Sequence, residues 1–212
     1  YQRLTLSHLQ PVLDTLKWLK HETDIWFEIT NLIIPDANDS ADELRKLCDW
    51  VLQHLGDDVP VHFSAFHPDF RMLDRPRTPH EKLLAAYQIA KQTGLQYVYV
   101  GNVDDWQHQS TYCPACGQVV IERNWYELGA YHLQENNCKH CGHQLPGRFD
   151  HQPGAWGRRR QPVQISDFAK DQSVDSGSAQ AAPPPPNKKT RSPNSRSAAI
   201  TDDPRGSAMS VH

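Results

Sequence analysis

The chain has 212 residues, 16 prolines, five cysteines and a formal net charge of −3. This mild acidity excludes the strongly basic surface by which proteins bind nucleic acids or anionic membranes. No apolar run reaches the length of about 18 residues that a membrane-spanning helix requires, and no segment resembles a signal peptide. Large apolar side chains are concentrated in residues 1–149, so we expect the folded part of the chain to lie there.

The first predicted elements are a helix and a strand. Ser7 and Gln10 form a capping-box pattern, and apolar residues recur behind them at helical spacing as far as His21. The next run, residues 25–34, is rich in β-branched and aromatic residues and ends before Pro35. This composition is typical of a buried parallel strand.

Two further helix–strand pairs follow along the chain. Ser40 predicts the start of the second helix, which precedes a strand at residues 59–66. Thr78 is the predicted cap of the third helix, which Gly94 ends before a strand at residues 97–101.

The resulting order αβαβαβ predicts a parallel sheet with right-handed crossovers. Three strands are too few for a complete barrel or a doubly wound domain. We therefore expect either a small α/β piece or the second half of a larger barrel. The start of the sequence at Tyr1, without a methionine, favours the second interpretation.

Polar residues cluster where the predicted strands end. They are Asn31, residues 35–39, residues 67–71 with His67 at their start, and Asn102. Ligands of parallel α/β sheets bind at the carboxyl ends of the strands, so this cluster is a candidate site. The alternative is structural, since Asn38 and Asp39 also suit a turn before the second helix.

Glu28 is a carboxylate within an otherwise apolar strand. A buried carboxylate needs a partner, which would make Glu28 a candidate functional residue. If the strand lies at the edge of the sheet, Glu28 is instead an exposed residue without a special role.

Two C-x-x-C-G sequences lie in residues 111–147 and supply four of the five cysteines: Cys113, Cys116, Cys138 and Cys141. Four thiolates suit a tetrahedral Zn²⁺ site, and a closed site of this kind supports structure rather than catalysis. Iron in a rubredoxin-like site and two disulfides are the alternatives. Paired cysteines of this type favour a reducing compartment, the cytoplasm. The fifth, Cys48, is predicted to be a small buried hydrophobe.

Short antiparallel strands are predicted at residues 119–121 and 125–128, between the two cysteine pairs. Few apolar residues lie there, so a metal ion must contribute folding energy. Residues 150–212 are predicted to be a linker and a disordered tail, in which the basic run 158–160 is solvated and the prolines 183–186 form polyproline II.

Several segments together resemble one family of enzymes. They are residues 27–35, 38–40, 61–69, 78–79, 94–102, 111–117, 122–123 and 145–147. In this order they closely resemble the AmmeMemoRadiSam-system radical SAM enzymes, which are relatives of the pyruvate formate-lyase activating enzyme. The resemblance extends over residues 1–149.

The resemblance implies a fold, cofactors and site residues. The fold is a partial (β/α)6 barrel, of which residues 1–108 would be the C-terminal half, followed by a zinc-ribbon-like module with the four cysteines at residues 109–149. The cofactors are a [4Fe–4S] cluster and S-adenosylmethionine, whose reductive cleavage gives a 5′-deoxyadenosyl radical. His67 would line the S-adenosylmethionine pocket, and Glu28, Thr30 and Asn31 would face the same cavity. The substrate is not identified, although a protein is one candidate.

One feature of the family is missing from this sequence. The cluster of these enzymes is bound by a C-x-x-x-C-x-x-C sequence, and no such triplet is present here. Three thiolates normally hold the cluster and leave one iron open to the cofactor. We therefore expect this piece to be inactive alone. A non-catalytic zinc-ribbon binding module is the alternative function.

Overall fold

The computed structural model describes residues 1–154, and the predicted features at 155–212, including the linker and the tail, lie outside the described residues. The helices are α1 (Gln2–Thr5), α2 (Leu9–Glu22), α3 (Ala41–Leu55), α4 (His80–Thr93) and α5 (Trp106–Gln109). The strands are β1 (Ile29–Ile33), β2 (Val61–Ala65), β3 (Val98–Gly101), β4 (Thr111–Tyr112), β5 (Val119–Asn124), β6 (Glu127–Tyr131), β7 (Leu133–Gln134) and β8 (Asn137–Cys138). All the described residues belong to one compact unit.

The first three strands form a parallel sheet in the order β1-β2-β3. Ile29 lies opposite Val61, which lies opposite Val98, so the strands begin in register. The predicted order of helices and strands, and with it the mixed α/β class, is confirmed. The described residues do not form a closed barrel.

The core of this sheet lies on one face, against the helices. Successive residues of a strand point to opposite faces, and Val61, Phe63 and Ala65 are the buried set of β2. Leu44, Cys48, Val51 and Leu55 of α3 pack on them together with Leu83, Ala86 and Ala90 of α4. The prediction that Cys48 is a buried hydrophobe is confirmed, since its side chain is inaccessible to solvent.

The helix starts agree only in part with the capping patterns. Ser40 caps α3 as predicted, because its hydroxyl accepts a hydrogen bond from the Glu43 amide. The prediction that Ser7 caps the first long helix is wrong, since α2 begins after His8 and has no side-chain cap. Gly94 ends α4 in the left-handed conformation, as predicted.

The prediction that Thr78 is a helix cap is also wrong. Its hydroxyl is buried, donates to the carbonyl of Ile33 (2.5 Å) and accepts from the amide of Phe66 (2.9 Å). Thr78 therefore ties together the chain at the ends of β1 and β2. α4 begins two residues later, after Pro79.

The remaining strands surround the cysteines and form what we call the four-cysteine module, residues 111–149. β4, β5 and β6 form an antiparallel sheet, and β7 pairs with β8. The predicted ribbon strands form as β5 and β6, a hairpin in which Asn124 lies opposite Glu127. The second strand begins later than predicted, because Trp125 and Tyr126 form the turn. Trp125 occupies the turn with a φ of 56°. The predicted domain boundary after residue 108 falls within α5.

A second core joins the four-cysteine module to the parallel sheet. Tyr99 of β3 and Tyr97, which immediately precedes this strand, lie on the side of the sheet opposite the helices. Both pack with Val120, Ile121 and Leu133 of the module. The module therefore covers the β3 side of this face and leaves the β1 side open. No helix in residues 1–154 is long and apolar enough to cross a membrane.

Candidate functional site

Each cysteine pair lies in a tight turn closed by backbone hydrogen bonds. The Gly117 amide donates to the Cys113 carbonyl at 2.8 Å, and the Gly142 amide donates to the Cys138 carbonyl at the same distance. Gly117 and Gly142 have φ values of 72° and 75°, which glycine adopts without the steric cost that a side chain would bring. The two halves of the site thus have the same local structure.

The two turns bring the four sulfurs together in what we call the four-cysteine site. All four Sγ atoms lie within 4.8 Å of one another, and the group could hold a metal ion. The Sγ atoms of Cys113 and Cys141 are 3.6 Å apart, and those of Cys116 and Cys138 are 3.9 Å apart. A tetrahedron of sulfurs around Zn²⁺ with bonds of about 2.3 Å has edges of about 3.8 Å. The residues present therefore fit one four-coordinate ion.

The same distances argue against the disulfide alternative. A disulfide bond is about 2.05 Å long, well below both sulfur–sulfur distances, and all five cysteines are free thiols. Burial, which raises the pKa of Cys138, is outweighed by the amides of His140 and Cys141, and the pKa falls to about 7. Cys141 responds in the opposite direction: the amide of His143 lowers its pKa, but burial and the adjacent thiols raise it to about 12. A cation is needed for all four sulfurs to be thiolates together.

The polar residues at the carboxyl ends of the strands have mainly structural roles. Asn38 accepts from the Ile34 amide and donates to the Leu32 carbonyl, and Asn102 donates to the Ala65 carbonyl. Asp39 accepts from the Asp36 amide. These contacts match the turn-forming alternative considered for Asn38 and Asp39.

His67 lies two residues beyond the end of β2. Its side chain is exposed and makes no hydrogen bond with another described residue. Its imidazole is thus free to contact a ligand at the carboxyl end of the sheet.

The residues predicted on the first strand lie on two different faces. Glu28 and Thr30 are exposed and lie on the open face, the side of the sheet opposite the helices. Asn31 alternates with Thr30 and lies on the helix-covered side with Ile29 and Ile33, where its Oδ1 is buried without a partner among the described residues. Asn31 therefore does not share a surface with Glu28 and Thr30.

Glu28 has the partner that a functional carboxylate requires. Its Oε2 accepts a hydrogen bond from His62 Nε2 at 2.6 Å, and its Oε1 accepts one from Trp26 Nε1 at 3.2 Å. The hydrogen bond from His62 lowers the pKa of Glu28, although partial burial opposes this effect. Glu28 is nevertheless about half exposed at the edge strand, so both sequence-based descriptions of this residue apply in part.

Sequence reasoning missed the residues that connect this pair to the four-cysteine module. The ring of His62 stacks on Tyr99 with centroids 4.8 Å apart, and the Tyr99 hydroxyl is 3.0 Å from Thr111 Oγ1. Arg123 Nη1 donates to that same Oγ1 at 2.6 Å. The alternation of apolar and polar residues in 61–65 was a signal for His62, but the pairing with Arg123 depends on tertiary packing.

A second polar cluster was also missed. Asp105 is nearly buried and accepts hydrogen bonds from His80 Nε2 at 2.7 Å and from His108 Nδ1 at 2.8 Å. Burial raises the pKa of Asp105, but these contacts and the His108 amide lower it by more. The cluster links the start of α4 to α5.

No protein-family model matches the sequence. A curated relative, the uncharacterized protein MJ0808 of Methanocaldococcus jannaschii, is 42% identical over 147 residues. The match covers 68% of this chain and 44% of the relative, so the chain spans less than half of the length of that protein. Because the relative is itself uncharacterized, the similarity identifies a related chain and no activity.

Proposed function

We propose that this chain forms the C-terminal portion of a radical SAM enzyme of the AmmeMemoRadiSam type, in which it contributes part of the barrel wall and a structural metal site. The observation that carries the proposal is the topology of the parallel sheet. Its strands follow one another in sequence, both intervening helices pack on the same face, and the other face remains open on the β1 side. Right-handed crossovers between sequential strands produce this arrangement in β/α barrels, whereas doubly wound sheets have helices on both faces.

The residues on the open face support this proposal. In a β/α barrel the face opposite the helices points inward, and here it presents Glu28, Thr30 and His62 rather than a continuous apolar surface. In the proposed enzyme, His67 at the carboxyl end of β2 contacts S-adenosylmethionine, and Glu28 and Thr30 line the adjoining cavity.

The chain does not fit the [4Fe–4S] cluster itself. Four of its five cysteines form the four-cysteine site, and the fifth, Cys48, is buried in the core beneath α3. The proposed cluster, which reduces S-adenosylmethionine when bound, must therefore be held by residues outside this sequence. The relative MJ0808 is more than twice as long as the segment that matches this chain, which is consistent with an enzyme longer than this chain.

The metal of the four-cysteine site is proposed to be Zn²⁺ in a structural role. The sulfur spacing leaves no open coordination position at a tetrahedral ion, and a site of this kind stabilises a fold. Reduced thiols at this spacing favour a cytoplasmic location. The substrate of the proposed enzyme is not identified, and a protein is one candidate.

The test is anaerobic reconstitution of the protein encoded by the complete reading frame, with iron, sulfide and S-adenosylmethionine. The proposal expects a C-x-x-x-C-x-x-C sequence ahead of this segment, cluster absorbance in near-stoichiometric yield, and 5′-deoxyadenosine after reduction. A variant lacking the three cluster cysteines is the matched control and should form neither.

The alternative function is a non-catalytic zinc-ribbon binding module. It is favoured by the four-cysteine site, which is complete within this chain. A complete reading frame without the cysteine triplet, or a reconstituted protein that binds zinc but yields no 5′-deoxyadenosine, would reject the radical SAM proposal in favour of this module.

A further inference from the structure

A cavity of about 150 Å³ lies between the parallel sheet and the four-cysteine module. Glu28, Tyr97 and Tyr99 line it from the sheet, Arg123 lines it from β5, and Arg148 lines it from the segment after the last strand. It lies near the amino ends of the strands, whereas His67 and the polar turns lie beyond the carboxyl ends. Glu28 borders both regions, but the arginines of this cavity lie at the opposite end of the strands from His67.

The guanidinium of Arg123 is held in place but is only partly used. One Nη1–H group donates to Thr111 Oγ1 at 2.6 Å, and the guanidinium carbon lies 5.7 Å from the centroid of the Tyr99 ring. A guanidinium has five N–H groups in a rigid fork. Within residues 1–154, no carboxylate forms an ion pair with Arg123. Arg123 also interacts with the Tyr99 hydroxyl and electrostatically with Glu28, and its remaining N–H groups are free for a ligand.

The cavity also has more positive than negative charge. Arg148 donates to the carbonyl of Asp24 at 3.0 Å and has no carboxylate partner in the described part of the chain. The one carboxylate at the cavity, Glu28, already accepts hydrogen bonds from Trp26 and His62. Two guanidiniums therefore face a single carboxylate that has other partners.

Tyr97 lies between this cavity and a second cavity beside Cys113. Its side chain lines the cavity and is only 5% exposed, and its hydroxyl is buried without a hydrogen-bond partner among the described residues. Buried hydroxyl groups in folded proteins nearly always have a partner, so an unpartnered one needs an explanation. The Tyr97 hydroxyl is closed off from water-sized space, so the case for a ligand in this cavity rests on the two arginines.

We propose that this cavity binds a small oxyanion, a carboxylate or a phosphate, through the guanidiniums of Arg123 and Arg148. Arginine binds both groups with paired hydrogen bonds of matching geometry. A cavity of about 150 Å³ suits a small anion or the anionic end of a longer molecule. This inference does not depend on the proposed enzymatic function.

The experiment titrates the full 212-residue chain, loaded with zinc, with inorganic phosphate and separately with acetate at constant ionic strength. Binding is followed through the Nε–H resonance of Arg123 and the amide resonances of Thr111 and Tyr99. We expect saturable shifts with at least one of the two anions, and the comparison of the two identifies the preferred group. R123Q and R148Q should each weaken binding by about tenfold or more, as expected for loss of a charge-assisted contact.

R45Q is the matched control, because Arg45 is an exposed guanidinium on α3, remote from the cavity lining. It should bind the anion like the wild-type chain. Zinc content and circular dichroism establish that each variant is folded. If R123Q does not fold, R148Q alone still tests the proposal. Absence of a saturable shift with either anion, or wild-type binding by the folded R123Q and R148Q variants, would mean that the cavity holds only water and would overturn the proposal.

Discussion

Glu28 and His62 form a carboxylate–imidazole pair on neighbouring parallel strands. Thr30 lies directly opposite His62 in the register of the sheet, and Glu28 precedes the first residue of β1. His62 Nε2 lies 2.6 Å from the Glu28 carboxylate, and stacking on Tyr99 holds the ring from the other side. The pair thus connects an edge strand to the centre of the sheet.

The pH dependence of stability should reveal this pair. The hydrogen bond from His62 lowers the pKa of Glu28 below the ordinary value of 4.5. The stabilisation is therefore fully present above pH 4.5 and is lost as the pH falls through the lower pKa of the folded state. E28Q should lower the free energy of unfolding by less than about 1 kcal/mol at neutral pH, because the pair is partly exposed. Urea denaturation of both chains at several pH values measures this difference.

The difference between the wild-type chain and E28Q should shrink as the solution becomes acidic. Contributions common to both chains cancel in this comparison. E22Q is the control, since Glu22 is exposed at the end of α2 and forms no hydrogen bond or ion pair with another described residue through its side chain. A wild-type advantage over E28Q that stays constant through the acidic range would contradict the assigned pairing.

Single residues were the least predictable level of this molecule. The sequence identified Glu28 as unusual, but it did not identify His62 as its partner, because the two are 34 positions apart. Thr78 follows the capping pattern in the sequence. In the fold its hydroxyl instead forms hydrogen bonds with the Ile33 carbonyl and the Phe66 amide. Such outcomes depend on which segments meet in space, and local patterns do not contain that information.

Elements were more predictable than single residues, because periodicity and glycine stops act locally. α3, β2, α4 and β3 all form within the ranges that their hydrophobic patterns predicted. β1 is shorter than residues 25–34, because β-branched and aromatic composition extends beyond the segment that has a pairing partner on β2. The grouping of the four cysteines was predicted from spacing, since each pair and the glycine after it form a local motif.

The four-cysteine module should depend on its metal for folding. We expect the purified chain to contain one zinc ion, and C113S or C138S to abolish it. Of the eight buried residues in the core of the module, Tyr97 and Tyr99 lie outside the module and Cys113 and Cys138 are proposed ligands, so only four apolar residues of the module remain without the ion. Structural zinc contributes roughly 10–16 kcal/mol to small domains of this kind. Metal analysis and amide hydrogen exchange over residues 111–149 measure both effects.

The fifth cysteine provides the matched control. C48A should keep one zinc ion per chain and the exchange protection of the module, while lowering the stability of the α/β core by about 1 kcal/mol for the lost buried sulfur. Wild-type zinc content and protection in both C113S and C138S would refute the structural role of the site. Iron in place of zinc in the purified chain would change the metal assignment but not the role.

At the level of the whole molecule, β3 is shared between two cores. Val98 and Val100 belong to the core under the helices, whereas Tyr97 and Tyr99 belong to the core of the four-cysteine module. The module therefore packs directly against the parallel sheet, on the side of β3 that faces away from the helices. Loss of the metal should reach the parallel sheet mainly through these two tyrosines, since they are the residues of the sheet within the core of the module.

Removal of the metal from the intact chain tests this coupling. A strong chelator with a reductant should abolish amide protection in the module and expose Tyr97 and Tyr99, while amides around Phe63 and Leu83 keep their protection. The reason is that the helix-side core contains no residue of the module. Hydrogen exchange with mass spectrometry resolves the two regions, and zinc but not magnesium should restore the protection. Simultaneous loss of protection in both cores would show that the α/β part cannot stand without the module, and unchanged protection everywhere would show that no structural ion was present.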